Sequence, residues 1–228
     1  MLTTILFDLD GTLMNTLDDL HESVSYALRE AGGLPPNTKE DTRRFLGNGV
    51  RRLVWQSVER ACPDADEALK ERVLDAFRAH YVVHSMDRTA PYEGIPALLR
   101  ECKRRGLFTA IVSNKLAPAV KDLHKAFFAD CIDVAIGETP TVKRKPAPDM
   151  VNEAIRQLSL LHGREIRKSE CVYVGDSEVD LLTAQNAGLA CIAVSWGFRD
   201  KGWLEQCGAQ VIADSPNALS ERLFSEAV

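Results

Sequence analysis

The sequence predicts an α/β protein with a Rossmann-like parallel sheet as its core and an inserted helical cap domain. Three observations support this fold class. A short apolar run near the N-terminus, Thr3–Phe7, leads into acidic residues and has the character of a buried parallel strand. Residues 16–85 then show helical patterns and no convincing strand. From residue 86 onward, strand-like and helix-like segments alternate, which indicates βαβ units.

The helical block is an insertion between the first strand and the rest of the α/β domain. Its clearest helices are Leu17–Ala31 and Val50–Ala61, and glycine or proline residues follow each of them. These breaks predict a catalytic core formed by residues 1–15 and 86–228, and a cap domain formed by residues 16–85.

The second half of the chain supplies the remaining strands of the sheet. Four apolar segments fit this pattern: Phe108–Val112, Ile132–Ile136, Cys171–Val174 and Ala190–Val194. Open α/β sheets bind ligands at the carboxyl ends of their strands. We therefore expect the functional site at that edge, with the cap above it.

Composition and charge exclude several kinds of partner. Among 228 residues, 45% are hydrophobic and 27% are charged, which are ordinary values for a globular protein. The formal net charge of −5 argues against a nucleic-acid partner. The chain shows no signal peptide and no membrane span, and its six scattered cysteines indicate reduced thiols. These features predict a cytoplasmic protein, either a monomer or a homodimer.

Two acidic motifs follow predicted strands. Asp8 and Asp10 come directly after the first strand and are separated by one residue, so both can face one site. Asp176 and Asp180 follow the strand Cys171–Val174 and share a face if a helix begins there. Carboxylate oxygens are hard ligands that suit Mg²⁺ and not zinc. Paired acids in surface turns are the alternative interpretation.

Two further motifs can bind an anion. Ser113 and Asn114 follow the strand Phe108–Val112 and offer a hydroxyl and free amides at an expected helix start, although a plain helix cap has the same appearance. Lys145 stands between two other basic residues and a proline-rich helix start. A solvated basic loop is the alternative there.

Together and in this order, the four motifs resemble the haloacid dehalogenase superfamily, in its aspartate-nucleophile phosphatase branch. The resemblance implies that Asp8 attacks phosphorus and that Asp10 acts as the general acid and base. It implies a Mg²⁺ ion held by Asp8, the backbone carbonyl of Asp10 and Asp176, with Asp180 as an orienting group. The implied contacts with the substrate are made by four residues: Thr12, Ser113, Asn114 and Lys145.

Closer similarity points to the phosphoglycolate phosphatase group. The segments DLDGTLMNTLDDL, FLGNGVRRLV, RKPAPD, VGDSEVD and SWGF carry it, although Asn15 stands where an aspartate is common. This resemblance implies 2-phosphoglycolate, a small phosphorylated metabolite, as the substrate. In the cap, Gly47 and Asn48 are either a helix break or a substrate-reading loop, and Arg51 is a candidate anion contact.

The sequence motifs are also compatible with other functions. Another small metabolite, such as a sugar phosphate, a nucleotide or pyrophosphate, can be the substrate. A phosphosugar mutase shares the core motifs. A phosphonate-cleaving relative requires a cap lysine that has no clear counterpart here. The non-enzymatic alternatives are a phospho-acceptor receiver module, which lacks a helical insert, and a catalytically inactive binding protein.

Overall fold

The computed structural model describes residues 2–224 and divides the chain into two compact units. Among the described residues, the core unit is formed by residues 2–14 and 91–224, and the helical unit by Asn15–Ala90. Within the described residues the strands are β1 (Thr4–Phe7), β2 (Met14–Asn15), β3 (Ala90–Pro91), β4 (Phe108–Leu116), β5 (Val134–Glu138), β6 (Cys171–Gly175), β7 (Ala190–Val194) and β8 (Ile212–Ala213).

Ten α-helices accompany these strands in the described part of the chain. The helical unit contains α1 (Leu17–Glu30), α2 (Lys39–Phe45), α3 (Val50–Ala61) and α4 (Glu67–His84). The core unit contains α5 (Ile95–Arg104), α6 (Ala117–Leu123), α7 (Asp149–Leu161), α8 (Glu178–Ala187), α9 (Lys201–Gln206) and α10 (Pro216–Phe224).

Six strands of the core unit form one parallel sheet in the order β5-β4-β1-β6-β7-β8. Thr4 of β1 is in register with Phe108 of β4 on one side and with Cys171 of β6 on the other. The chain builds outward from β1 through β4 and β5 and then resumes at β6, so the strand order reverses beside β1. Such a reversal is where open α/β sheets bind ligands.

The sheet is covered by helices on both faces, which explains why its strands are mainly apolar before their carboxyl ends. Side chains alternate between the two faces of a strand. Ile5 and Phe7 belong to an apolar cluster with residues of α5, α6 and α10, whereas Leu6 belongs to a second cluster with residues of α7 and α8. All four residues of β1 are fully buried.

The helical unit is held together by amphipathic helices with well-defined ends. On α1, the buried side chains of Leu20, Val24, Ala27 and Leu28 recur at helical spacing and form the face that packs on α4. Asp66 caps α4, because its carboxylate accepts a hydrogen bond of 2.8 Å from the backbone N–H of Leu69.

A buried aspartate fixes the segment that follows α4. Asp19 of α1 is 3% exposed, and its carboxylate accepts hydrogen bonds from the backbone N–H groups of Arg88 and Thr89 at 2.9–3.1 Å. Hydrogen bonds to a charged acceptor are stronger than neutral ones. The return of the chain toward the core unit is therefore anchored on the first helix of the helical unit.

The predicted fold class is confirmed: the chain has a parallel α/β core and an inserted helical domain. Helix α3 has the predicted bounds, whereas β4 continues to Leu116 instead of ending at Val112. The predicted strand Ile132–Ile136 begins two residues later, at Val134. The predicted placement of the helices above the strand ends stays a prediction. None of the helices between residues 2 and 224 combines the length and hydropathy that a membrane span requires.

Candidate active site

Asp8 and Asp10 lie where β1 leaves the sheet. The N–H of Asp8 donates to the carbonyl of Val174 at 2.8 Å, which continues the ladder between β1 and β6 by one residue. The chain then turns at Gly11, whose φ is +89°. A Cβ at Gly11 would lie 2.4 Å from a carboxylate oxygen of Asp176, so only glycine fits there.

Three buried carboxylates meet at this edge of the sheet. One oxygen each from Asp8, Asp176 and Asp180 can be chosen so that all lie within 4.8 Å of one another. Asp8 follows β1 and Asp176 follows β6, so the parallel pairing of these neighbouring strands brings the two motifs together. Asp180 lies in the first turn of α8.

Asp176 is held by two donors from distant parts of the chain. Its Oδ1 accepts from the hydroxyl of Thr12 at 3.0 Å, and its Oδ2 accepts from the backbone N–H of Phe198 at 2.7 Å. Both donors orient the carboxylate. Thr12, predicted as a substrate contact, therefore has its hydroxyl committed to Asp176.

Asp180 is fully buried, and both of its carboxylate oxygens are engaged. Oδ1 accepts from Lys145 Nζ at 2.8 Å and from the hydroxyl of Tyr173 at 3.3 Å. Oδ2 accepts from the hydroxyl and the backbone N–H of Ser177 at 2.7 and 3.1 Å. Such saturation is typical of a carboxylate that orients its neighbours.

Lys145 connects the nucleophile candidate to this network. Its Nζ lies 2.7 Å from Asp8 Oδ1 and 2.8 Å from Asp180 Oδ1. Asn114 positions the lysine, because its side-chain amide donates to the Lys145 carbonyl at 3.1 Å and its oxygen accepts from the Lys145 N–H at 2.8 Å. Both halves of the Asn114 amide thus bind backbone, and its predicted substrate contact stays a prediction.

Ser113 lies in a strand, whereas the sequence predicts that it lies at the start of a helix. It is 1% exposed and lies inside β4, and α6 begins only at Ala117, so the expected helix start at Ser113 is wrong. The Ser113 hydroxyl accepts from the N–H of Lys115 at 3.2 Å. The strand continues because Leu116 pairs with Glu138 of β5 beyond an irregularity in the β4–β5 ladder.

Lys115 is the third residue of the motif Ser113-Asn114-Lys115, and the sequence interpretation gave it no role in the site. Its Nζ lies 3.0 Å from Asp10 Oδ1, and the residue is 6% exposed. A buried lysine beside the general acid–base candidate fixes that carboxylate. The Ser-Asn-Lys run after an apolar strand is the signal that could have indicated it.

A second feature that was not predicted from the sequence is an ion pair between two segments next to Asp176. Arg199 binds Glu178 through two hydrogen bonds, from Nε to Oε2 at 2.9 Å and from Nη2 to Oε1 at 3.2 Å. Glu178 follows Asp176 by two residues, and Arg199 follows Phe198, the donor to Asp176. This ion pair braces the two segments that position Asp176.

The carboxylate cluster carries excess negative charge. Burial raises the pKa of Asp8 well above its usual range, with Lys145 opposing the shift and Asp180 and Asp176 adding to it. Burial, followed by the charge of Asp180, raises the pKa of Asp176 to about 7. Burial disfavours the charged form of Lys145, but the carboxylates of Asp180 and Asp8 hold its pKa well above the usual range.

This arrangement fits a divalent hard cation. The donors are carboxylate oxygens, and the pKa values of Asp8 and Asp176 are raised first by burial and then by neighbouring carboxylates, a cost that a bound cation would offset. No nitrogen or sulfur ligand belongs to the cluster within the described residues. The site therefore suits Mg²⁺ better than zinc.

The predicted substrate residues of the insert lie in the helical unit. Gly47 adopts a φ of +105° in the turn before α3. Arg51 on α3 lies 2.7 Å from a Glu71 carboxylate oxygen and stacks over Trp55. Because this guanidinium already has an acidic partner, it is a weaker anion contact than the sequence suggested. Roles in substrate binding for Gly47, Asn48 and Arg51 stay predictions.

The carboxylate cluster, the buried lysines and the parallel sheet agree with the class that the four sequence motifs resemble, the haloacid dehalogenase-like hydrolases. The family model for haloacid dehalogenase-like hydrolases matches residues 5–194, and the chain belongs to that family. It is a phosphatase of the phosphoglycolate phosphatase-like kind.

Individual relatives support this class. The chain is 34% identical to a phosphoglycolate phosphatase of Cereibacter sphaeroides over 197 residues, which is 86% of each chain. It is 30% identical to the N-acetylmuramic acid 6-phosphate phosphatase of Pseudomonas aeruginosa over 225 residues, covering 97% of this chain and 95% of the relative. A crystal structure of a predicted phosphoglycolate phosphatase from Lactobacillus delbrueckii subsp. bulgaricus superposes with a TM-score of 0.88 at 32% identity, covering 98% and 99% of the two chains.

Proposed function

We propose that the protein hydrolyses 2-phosphoglycolate to glycolate and phosphate through a phospho-aspartate on Asp8, with Mg²⁺ as its cofactor. The observation that carries this proposal is the environment of Asp8. This buried carboxylate directly follows β1, pairs with Lys145 at 2.7 Å and shares a cluster with two further carboxylates. The candidate nucleophile therefore lies next to a lysine ammonium group and to carboxylates that can bind a hard metal ion.

Asp8, the backbone carbonyl of Asp10 and Asp176 would hold the metal. When bound, the cation neutralises part of the cluster charge and keeps Asp8 ionised despite its burial. Lys145 neutralises charge on the phosphoryl oxygens, and the hydroxyl of Ser113 binds one of them. Stabilisation of this kind dominates phosphoryl transfer.

The reaction proceeds in two steps on Asp8. In the first, an Asp8 oxygen forms a bond to phosphorus while the bond to the substrate oxygen breaks, and Asp10 gives its proton to that leaving oxygen. In the second, Asp10 takes a proton from a water molecule whose oxygen bonds to phosphorus while the bond between Asp8 and phosphorus breaks, which releases phosphate and restores the Asp8 carboxylate. Lys115 holds Asp10 in place through both steps.

Two activities named among the relatives have substrates with a chemical feature in common, which supports a narrower proposal. Phosphoglycolate and N-acetylmuramic acid 6-phosphate each combine a phosphomonoester with a carboxylic acid. We infer that this enzyme acts on a small phosphomonoester that also carries a carboxylate. N-Acetylmuramic acid 6-phosphate is the second candidate, because the similarity to that relative extends over 97% of the chain.

A substrate panel at saturating Mg²⁺ tests both parts of the proposal. It contains 2-phosphoglycolate, N-acetylmuramic acid 6-phosphate and a neutral aryl phosphate, with kcat/KM as the readout. We expect 2-phosphoglycolate to give the highest value. A higher value for N-acetylmuramic acid 6-phosphate would select the second candidate, and a preference for the aryl phosphate would refute a carboxylate-bearing substrate.

The same panel repeated after EDTA treatment tests the cofactor. Activity should vanish on chelation and return when Mg²⁺ is added. An enzyme that retains its rate in metal-free buffer would contradict the proposed cofactor while leaving the substrate ranking intact.

A further inference from the structure

The site contains two buried lysines, and they contact different carboxylates. Lys145 contacts Asp8 and Asp180, which places its ammonium group beside the proposed nucleophile. The side chain of Lys115 is 5% exposed, and its Nζ lies 3.0 Å from Asp10 Oδ1. Burying an ammonium group costs free energy unless negative charge compensates it. The second lysine therefore indicates a second position, beside Asp10, where negative charge is stabilised.

The backbone of Lys115 is held firmly in the sheet. Its N–H donates to the hydroxyl of Ser113 at 3.2 Å. On the neighbouring strand β5, a Cβ at Gly137 would lie 2.9 Å from the Lys115 carbonyl oxygen and 2.5 Å from Ala117 Cα, closer than side chains approach. Glycine at position 137 thus allows β5 to lie directly against this part of β4. Lys115 projects from a rigid element, as a residue that selects a substrate requires.

Lys115 lies close to the position of the leaving group. Asp10, whose side chain is 20% exposed, is the proposed donor of a proton to the leaving oxygen. A general acid lies about 2.6–3.2 Å from the oxygen that it protonates. An oxygen protonated by Asp10 Oδ1 would therefore lie within about 6 Å of Lys115 Nζ. Protonation by Oδ2 would extend this limit by only about 2 Å.

The carboxylate of 2-phosphoglycolate is at the right distance to reach this ammonium group. Its carbon is attached to the carbon that bears the ester oxygen, so its oxygens lie up to roughly 3.5 Å from that oxygen. The remaining gap to Lys115 Nζ is the length of a charge-assisted hydrogen bond. An ammonium group has three donors, so Lys115 can bind this carboxylate and still contact Asp10.

We propose that Lys115 binds the carboxylate of the substrate and thereby selects phosphomonoesters whose carboxylate is attached to the carbon that bears the ester oxygen. This inference rests on the proposed function and adds the residue that determines specificity. 2-Phosphoglycolate carries one negative charge more than a simple phosphomonoester, and Lys115 compensates it. In N-acetylmuramic acid 6-phosphate the sugar ring separates the carboxylate from the ester oxygen. Lys115 therefore favours 2-phosphoglycolate over that compound.

The experiment compares 2-phosphoglycolate with 2-phosphoglycolamide, in which an uncharged amide replaces the carboxylate. Values of kcat and KM are measured at saturating Mg²⁺ for the full-length unmodified protein, Lys115→Met and Lys115→Gln. Disturbance of Asp10 slows both substrates, whereas loss of the ammonium group affects only the acid. We expect the ratio of kcat/KM for the acid to that for the amide to fall by roughly 10–100-fold in each variant. Lys115→Gln keeps a hydrogen-bond donor for Asp10 and disturbs the general acid less.

Lys121→Met is the matched control, because Lys121 is an exposed lysine on α6. It should leave both kcat/KM values unchanged, and circular dichroism should show that each variant is folded. Equal losses on the acid and the amide in the Lys115 variants would show that Lys115 only positions Asp10, which would overturn the proposal. Equal kcat/KM values for the acid and the amide in the unmodified protein would overturn it without any variant.

Failure of the proposed function gives a different result. It would appear in the unmodified protein as a preference for the aryl phosphate or for N-acetylmuramic acid 6-phosphate in the substrate panel. A protein that prefers 2-phosphoglycolate in that panel, but whose acid-to-amide ratio does not depend on Lys115, would retain the proposed function and refute the role of Lys115.

Discussion

At the scale of single residues, Lys145 explains how three carboxylates can be buried together. Its ammonium group contacts Asp8 and Asp180 at 2.7 and 2.8 Å, and Asn114 fixes its backbone. Removing one partner of a buried ion pair typically costs about 3–5 kcal/mol because the other charge is left uncompensated. One lysine does not balance three acids, so the remaining charge favours a cation.

Asp8→Asn tests the nucleophile at this scale. The amide preserves shape but removes the attacking oxygen, so turnover of every phosphomonoester should be abolished. Asp10→Asn is the matched comparison and should retain measurable activity, reduced by roughly 10²–10⁴-fold as is typical for general acid–base groups. Steady-state rates and circular dichroism provide the measurement. Full activity in Asp8→Asn would exclude the phospho-aspartate.

Sequence patterns predict residue types better than residue partners. The motif containing Asp8 and Asp10 could be found because its acids follow an apolar strand. The contact between Lys115 and Asp10 joins residues 105 positions apart. It depends on β4 continuing beyond Val112, where the apolar pattern ends. The apolar pattern does not indicate that β4 extends to Leu116, because the extension depends on pairing with β5.

At the scale of elements, the site is built from the ends of neighbouring parallel strands. Apolar runs were sufficient to locate β1, β6 and β7, because strands buried on both faces carry few polar residues. The short strand β8 was not predicted, since two residues show no periodicity. The loop after β7 returns Phe198 to Asp176 and is braced by the pair Arg199–Glu178.

Arg199→Met tests whether this brace supports the metal site. Loss of the two-bond ion pair should loosen the Phe198 loop and raise the Mg²⁺ concentration for half-maximal activity by roughly tenfold, as for other residues that orient metal ligands. Lys201→Met is the matched control, because Lys201 pairs with the exposed Asp214 at 3.1 Å and not with Glu178. Direct Mg²⁺ calorimetry should follow the same order. An unchanged Mg²⁺ requirement in Arg199→Met would show that the Arg199–Glu178 ion pair does not support the metal site.

His21 makes the helical unit sensitive to pH. Burial lowers the pKa of His21, whose Nδ1 lies 2.9 Å from the Thr42 hydroxyl of α2. Because the unfolded chain binds a proton more readily, the contribution of His21 to stability is complete above its unfolded pKa of about 6.5 and declines as pH falls below it. The drop in Tm between about pH 7.5 and pH 5.5 should be smaller in His21→Gln than in the unmodified protein. An equal drop would show that His21 does not contribute.

At the scale of the whole molecule, the chain forms two compact units that are stabilised in different ways. The core unit is organised around a sheet whose polar residues gather at the carboxyl ends of its strands. The helical unit uses amphipathic helices, and its buried polar residues, such as Asp19, bind backbone within the same unit. The insertion was predictable because helical periodicity replaces strand periodicity between residues 16 and 85. The pairing of Arg51 with Glu71 was not, since it depends on how α3 packs on α4.

Metal binding should therefore stabilise the core unit measurably. A ligand that binds only the folded state at 100 times its Kd adds about 2.7 kcal/mol to the free energy of unfolding. We expect saturating Mg²⁺ to raise the Tm of the unmodified protein, because the cation relieves repulsion among Asp8, Asp176 and Asp180. Asp176→Asn should lose most of this rise. Asp214→Asn removes an exposed acid outside the cluster and should retain all of it. Scanning calorimetry with Mg²⁺ and with EDTA provides the comparison. An equal rise in Tm in both variants would show that Mg²⁺ stabilises the protein by binding outside the carboxylate cluster.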